Sequence, residues 1–362
     1  MKPLRVLMVS PQFRPLTGGY ERAAERLAGA VSRSRHAVTV VTERRSRAWP
    51  SVESSCGFEI KRLWCIYRRG AHLMTAMMSL AVFLLSHGRR YDVWHIHHYG
   101  YQAAVAIVIA RLLRRPVVLK VTNTKAQGIR ATLGTSRWLP RALAGIHRNV
   151  QACVVTTAEA ASEAKEFGIP AELIWYIPNG IDPEKYCPIE PAQKLELQRQ
   201  LGVVGEGVVV FVGRLAEAKN IPLLIRAWKV VSALRPGACL VLVGDGPCRN
   251  MIEEAVRIEG LASVRIVGEQ ADTALWYQCA DVFVLVSRHE GLSNSLLEAL
   301  ATGLPVVTTR VSGSEEILRD SEVGHLVQQN DEQGLAQAIL GLLEDDERRR
   351  RLGQNGRAYA VE

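Results

Sequence analysis

Short runs of apolar and β-branched residues alternate along this chain with stretches whose apolar positions recur at helical spacing. Leu4 to Ser10 reads as a buried strand, Tyr20 to Ser34 as an amphipathic helix and Ala37 to Thr42 as the next strand. Such alternation predicts a doubly wound α/β sheet. Strands continue over Phe58 to Ile66, Asp92 to His98, Pro116 to Val121, Ala152 to Thr156 and Leu173 to Ile177, with helices expected at Trp138 to Arg148 and Ala158 to Phe167. After a polar, mixed stretch from Pro183 to Gly207, the pattern restarts. Strands are expected at Val208 to Val212, Cys239 to Val243, Val264 to Gly268, Asp281 to Val286 and Pro305 to Thr309, and helices at Ile221 to Leu234, Cys248 to Glu259 and Ser293 to Thr302. We therefore divide the chain into domains 1–180 and 181–362. A length of 362 residues, 48% of them hydrophobic, suffices for two cores.

One stretch departs from the amphipathic pattern. Ala71 to Ser86 is apolar nearly throughout and is bracketed by Arg68, Arg69, Arg89 and Arg90. It falls short of the roughly 20 residues that a membrane span needs. It reads as a core helix; the alternative is a helix lying in a membrane interface with its arginines on lipid phosphates.

The net charge of +9 conceals an asymmetry. Residues 1–178 carry 26 Lys and Arg against 10 Asp and Glu, a net +16, whereas residues 179–362 carry 19 against 26, a net −7. The first half is expected to meet something anionic, either a membrane rich in anionic lipids or a phosphate-bearing acceptor. Charge that only keeps the domain soluble is the plain alternative. No recognition helix, stacking motif or zinc finger speaks for nucleic acid. Seven scattered cysteines without metal-ligand spacing point to a reducing compartment. The apolar run Val6 to Val9 is too short for a signal core, so a cytoplasmic location is expected.

The candidate chemistry concentrates between Ser287 and Thr309. An acidic loop, Glu290-Gly291, leads into the Ser293 helix, which Gly303 is expected to stop. Helix N-termini carry unpaired N–H groups and partial positive charge, so Gly291, Leu292, Ser293 and Asn294 are candidates to hold a diphosphate. Glu298, further along the helix, is suited to accept hydrogen bonds from two ribose hydroxyls, leaving Glu290 to face the group attached to the diphosphate. Arg214 and Lys219, one at a strand end and one near a helix start, are the best cationic pair for that diphosphate, offering a planar fork and a point charge. Taken singly, each of these is an ordinary surface residue.

The spacing of Glu290 and Glu298 and the following Gly-x-Pro-Val-Val run resemble the E-x7-E signature of retaining glycosyltransferases of the GT-B fold, specifically glycosyltransferase family 4. Arg214 and Lys219 match the same family motif. The resemblance implies two Rossmann-like, doubly wound parallel-sheet domains facing a cleft. It implies transfer of a sugar, with retained configuration, from a UDP- or GDP-sugar to a glycan, lipid-linked or other cell-surface precursor. The basic first half adds to the cytoplasmic expectation the option of a peripheral place on the inner face of the cytoplasmic membrane. Glu290, Arg214 and Lys219 would be catalytic, and Gly18 and Gly19 would approach the donor phosphates. Acceptor choice falls to the loops Arg44 to Gly57 and Asn123 to Leu139. Thr122 stands where many relatives place a histidine near the donor sugar, and His95 and His97 resemble a His-x-His found at the end of this strand. Against the family pattern, the chain is expected to stop short of the helix that in relatives packs back on the first domain. No Asp-x-Asp pair occurs in either half, so no metal is expected. The alternatives are a nucleotide-sugar-binding protein without turnover and a nucleotide-dependent oxidoreductase. For the latter Glu43 follows the second strand, but the glycine fingerprint is absent.

Overall fold

A computed structural model describes residues 2–16, 18–68, 70–121, 146, 149–203, 205–319 and 322–362. The chain divides into two compact units, Met1–Gly180 and Ile181–Glu362. Thr122, most of the helix expected at Trp138 to Arg148 and the loop Asn123 to Leu139 lie outside the described residues.

Among its described residues the first unit holds eight strands: β1 (Arg5–Val9), β2 (Ala37–Arg44), β3 (Val52–Ser55), β4 (Phe58–Trp64), β5 (Val93–Ile96), β6 (Val117–Val121), β7 (Ala152–Val155) and β8 (Ile174–Tyr176). Their order is β3-β4-β2-β1-β5-β6-β7-β8, parallel except for β3 on β4. β3 corrects the expectation of a plain loop from Arg44 to Gly57. Val-Glu-Ser-Ser is too polar to signal a strand, but Cys56 and Gly57 both take positive φ, 52° and 83°, as a two-residue hairpin turn requires. Connections from β4 to β7 run across the sheet in one direction and the β1 to β2 connection runs in the other. Right-handed crossovers therefore put their helices on opposite faces. Ala24 and Ala28 of helix Gly19–Arg33 pack on Met8, Val40 and Ile60. On the other face, Leu80 and Leu84 of helix His72–His87 and Ala106 and Ile107 of helix Tyr101–Leu112 pack on Leu7, Val9 and Leu119.

The second unit has, among its described residues, six parallel strands: β9 (Gly207–Val212), β10 (Ala238–Val243), β11 (Val264–Gly268), β12 (Val282–Leu285), β13 (Val306–Thr309) and β14 (Gly324–Val327), in the order β11-β10-β9-β12-β13-β14. β9, β10, β12 and β13 are buried along their whole length, which is why the first three are near-continuous apolar runs; β13 ends in the buried hydroxyls of Thr308 and Thr309. The stretch Pro183 to Gly207 is more than a linker. It contains helix Pro191–Gln200, whose Lys194 reaches Asp281 at 2.6 Å and whose Gln198 donates to the Cys279 carbonyl at 2.8 Å. Helix Asp346–Val361 is pinned by Arg357, which donates to the carbonyls of Tyr186 and Ala301 at 2.6 Å each and of Pro183 at 3.0 Å. Among the described residues no helix is long and apolar enough to cross a membrane.

Candidate active site

In the second unit the chain winds from β9 through β10 to β11 on one side, and from β12 through β13 to β14 on the other. β9 and β12 are neighbours, so the sheet has its topological switch point between them, and the crevice beyond their carboxyl ends is where such sheets hold ligands. Two loops meet there, 213–220 after β9 and 286–293 after β12. The Arg288 N–H donates to the Ala218 carbonyl at 2.8 Å and ties them together.

Across this crevice Lys219 Nζ donates to Glu290 Oε2, with the two side chains 18% and 19% exposed. Ser287 Oγ donates to the same oxygen at 3.0 Å. The pair is shielded enough for charge to matter and open enough for a ligand to displace one partner. Asn220, at φ 49°, ends the first loop and turns it into helix Ile221–Leu234, which fixes where Lys219 stands. Gly244 and Gly246 of the Gly-Asp-Gly-Pro loop serve the same loop from the other side. A Cβ at Gly244 would lie 2.0 Å from the Gly213 carbonyl oxygen, and one at Gly246 would lie 2.4 Å from that of Leu215. These glycines permit close backbone packing beside the site.

Helix Asn294–Ala301 begins under the Glu290 loop. Ser293 is its N-cap and accepts from the Leu296 N–H at 3.4 Å. The helix ends as expected at Gly303, φ 78°, whose N–H bonds to the Leu300 carbonyl, while the Leu304 N–H bonds to that of Ala299. Helix Ser312–Leu318 presses on the Gly291 loop, since a Cβ on Gly313 would lie 2.2 Å from the Gly291 carbonyl oxygen. Gly291 and Leu292 are thereby held in place ahead of the helix N-terminus.

The structure thus gathers Lys219, Glu290, Gly291, Leu292, Ser293 and Asn294 around one helix start. Glu298 is placed differently. It is buried at 2% exposure and accepts from the Tyr277 hydroxyl at 3.0 Å. Arg214 is exposed at the end of β9 rather than joined to the Lys219 ion pair. Tyr277 and Ser287 were not anticipated. Tyr277 follows Leu275 and Trp276, and Ser287 closes the apolar run of β12; nothing in their local pattern signals a role.

In the first unit, the switch point falls between β1 and β5. Gly18 caps helix Gly19–Arg33 with extended backbone, and Glu21 Oε2 lies where a Cβ of Gly18 would be, 2.3 Å away, so an acidic group already faces this helix start. Beyond β5, Tyr20 stacks on His97 at 6.0 Å and lies 5.4 Å from His98. Burial lowers the pKa of His95 to about 4 and holds His97 well below its ordinary range. Neither ring nitrogen of His97 has a hydrogen-bond partner among the described residues. Burial also lowers Lys120 to about 8, and its ammonium donates to Asn179 Oδ1 at 2.8 Å. Glu43, the acidic residue after β2, accepts from Arg45 at 2.7 Å and Gln102 at 2.6 Å and meets His72 at 3.0 Å. With Cys65 and His72 it brings ligand atoms within 4.8 Å of one another. Arg45 and Gln102 already satisfy its carboxylate, so an internal ion-pair network accounts for the group.

Two doubly wound units, the second with a charged crevice at its switch point, have the architecture of the GT-B fold. Two family models match, "Glycosyl transferase 4-like domain" over residues 18–180 and "Glycosyl transferases group 1" over residues 206–345. The chain belongs to glycosyltransferase family 4 and is a glycosyltransferase. It is similar to the lipopolysaccharide core biosynthesis glycosyltransferase LpsE of Rhizobium meliloti, 39% identical over 155 residues, 42% of this chain and 44% of that protein. Over 99% of this chain and 94% of the other, it is 27% identical to the GDP-mannose-dependent alpha-(1-6)-phosphatidylinositol monomannoside mannosyltransferase of Mycolicibacterium smegmatis. Its fold matches Anabaena Alr3699/HepE, crystallised with UDP and glucose, at a TM-score of 0.80 and 20% identity, covering 99% of this chain and 95% of that one.

Proposed function

We propose that this glycosyltransferase moves a sugar from a UDP- or GDP-sugar, with retained anomeric configuration, to a glycan, lipid-linked or other cell-surface precursor. The observation that carries the reading is the Lys219–Glu290 pair, which spans the switch point of the second unit beside a helix N-terminus. A diphosphate arriving there draws Lys219 from Glu290. Lys219, Arg214 and the N–H groups at Gly291 to Asn294 then stabilise the charge that grows as the anomeric carbon–oxygen bond breaks. The acceptor oxygen bonds to that carbon on the same face, and its proton passes to the departing diphosphate oxygen. Glu290, once released, orients the sugar hydroxyls, and Glu298 takes the ribose in place of its present solvent-excluded contact. Fixed cations suffice, so the reaction needs no metal.

The family resemblance assigns Gly18 and Gly19, at the start of helix Gly19–Arg33, to the donor phosphates as well. The similar proteins support both donor classes, since one is GDP-mannose-dependent and one was crystallised with UDP and glucose. They also support a lipid-linked acceptor, because one acts on a phosphatidylinositol monomannoside. The excess positive charge of residues 1–178 supports work at the anionic inner face of the cytoplasmic membrane. Incubation with a panel of labelled UDP- and GDP-sugars tests the reading. Slow release of free sugar of retained configuration is expected with one of them. Donor that is bound and stays intact overturns turnover, and reduction of nicotinamide overturns the class.

A further inference from the structure

We propose that the outward faces of helices His72–His87 and Tyr101–Leu112, with the Trp64 to Tyr67 segment beside them, form a flat docking surface for an anionic lipid bilayer. This deepens the membrane reading above by naming the surface. It rests on that reading only for the location of the acceptor.

Helix His72–His87 contains no Asp, Glu, Lys or Arg. One side of it, Ala76, Ser79, Leu80, Phe83 and Leu84, is buried against the sheet. On the opposite side Met74, Met78, Val82 and Leu85 recur at i, i+4, i+8 and i+11 and are 70%, 53%, 62% and 52% exposed. A surface helix of a soluble domain ordinarily carries charge on that side. The second unit follows this rule. Helix Arg249–Ile258 turns Arg249, Glu253 and Glu254 outward in salt bridges.

The apolar surface extends beyond one helix. Helix Tyr101–Leu112 packs beside the first on the same face of the sheet and exposes Val108 and Leu112. Trp64, Ile66 and Tyr67 are about half exposed or more and are held to the first turn of helix His72–His87. The Ile66 N–H donates to Thr75 Oγ1 at 3.0 Å, and the Tyr67 ring meets His72 at 4.8 Å. Trp and Tyr suit the headgroup level of a bilayer.

Charge selects the occupant. From Arg68 to Arg115 there are seven arginines and a single carboxylate, Asp92, which accepts the Arg5 N–H at 2.8 Å. Both helices run antiparallel to the strands they connect, so their C-termini share one end. Arg115 Nη2 donates to the Arg89 carbonyl at 3.0 Å and joins those ends. Arg89, Arg90, Arg111 and Arg114 are exposed there, and Arg68 is exposed at the other end of the first helix. A second copy of this chain would set arginine against arginine across a two-fold axis, whereas lipid phosphates satisfy arginine directly. An apolar face rimmed by guanidinium groups is the pattern of a helix lying in the interface plane.

Flotation of the full chain, without donor, on phosphatidylcholine vesicles with and without phosphatidylglycerol tests the surface. Binding is expected only to the anionic vesicles, and raising ionic strength to about 1 M, where screening acts within roughly 3 Å, should weaken it. Met78→Glu/Val82→Glu should weaken binding by about a hundredfold or more, as the loss of two inserted apolar side chains implies. Leu234→Glu/Ile258→Glu adds the same charge at exposed apolar positions of the second unit and should leave binding intact. Absence of binding by the wild type, or unchanged binding of Met78→Glu/Val82→Glu, overturns the proposal. So does a dimer in sedimentation that this double variant dissociates. Sugar release from the donor in the absence of lipid should be the same in the double variant as in the wild type. A failed surface therefore leaves the transferase reading standing, and absent sugar release in the wild type fails that reading alone.

Discussion

The two sheets carry different chemistry at their switch points. Beyond β9 and β12 stands a fixed ion pair, Lys219 and Glu290, beside a capped helix start. Beyond β1 and β5 stand Tyr20, His97 and His98, desolvated and largely neutral near pH 7. The surfaces differ in the opposite sense, since the first unit is basic and exposes an uncharged helix face while the second is acidic with charge-paired helices. The contrast separates two tasks. The proposals assign to the second unit the neutralisation of a diphosphate by a few placed charges, and to the first the docking on an anionic surface through many spread ones.

The variant that would break this comparison most directly is Lys219→Ala. Loss of one electrostatic stabiliser should lower turnover by about 10²-fold or more, with the melting temperature little changed. Full activity would remove the ion pair from the chemistry.

Acid should act mainly on the first unit. The folded-state pKa values of His95 and His97 lie below the unfolded value of about 6.5, so between about pH 6.5 and 4 the unfolded chain binds protons that the folded chain does not. Stability is therefore fully present above about pH 6.5 and falls as pH drops towards 4, by up to about 1.4 kcal/mol per pH unit for each such group. Urea unfolding at pH 7, 6 and 5 should show the slope, and His97→Leu should flatten it; an unchanged slope would mean that this histidine titrates freely in the fold.

Smaller changes sharpen the picture of the second unit. Tyr277→Phe deprives the buried Glu298 carboxylate of a donor and should cost about 1–3 kcal/mol in chemical denaturation. Gly313→Ala forces the Gly291 loop to move and should cost about 1–3 kcal/mol together with nucleotide affinity. Arg288→Ala, by contrast, breaks only an exposed 3.5 Å contact with Glu217 and should shift stability by less than about 0.5 kcal/mol.

What the sequence reveals follows burial. β9, β10 and β12 are legible because a parallel strand covered on both faces must be apolar along its length, and Gly303 is legible because few residues tolerate positive φ. β3 and β14 are short strands at sheet edges, and helix Pro191–Gln200 buries little besides Gln198, so hydrophobic periodicity passes over them. Lys219 and Glu290 stand 71 residues apart. Each is recognisable as a candidate, but only the adjacency of β9 and β12 brings them together. Tyr277 carries no signal because its role depends on the burial of Glu298, a property of the folded unit.

The central claim is that Lys219 and its helix start receive a nucleoside diphosphate. Calorimetric titration of UDP and of GDP into the wild type and Lys219→Ala tests it directly. Loss of a charge-assisted contact predicts that one nucleotide binds the wild type and binds the variant at least about tenfold more weakly. Equal affinity in the two proteins, or no binding of either nucleotide to the wild type, would contradict it.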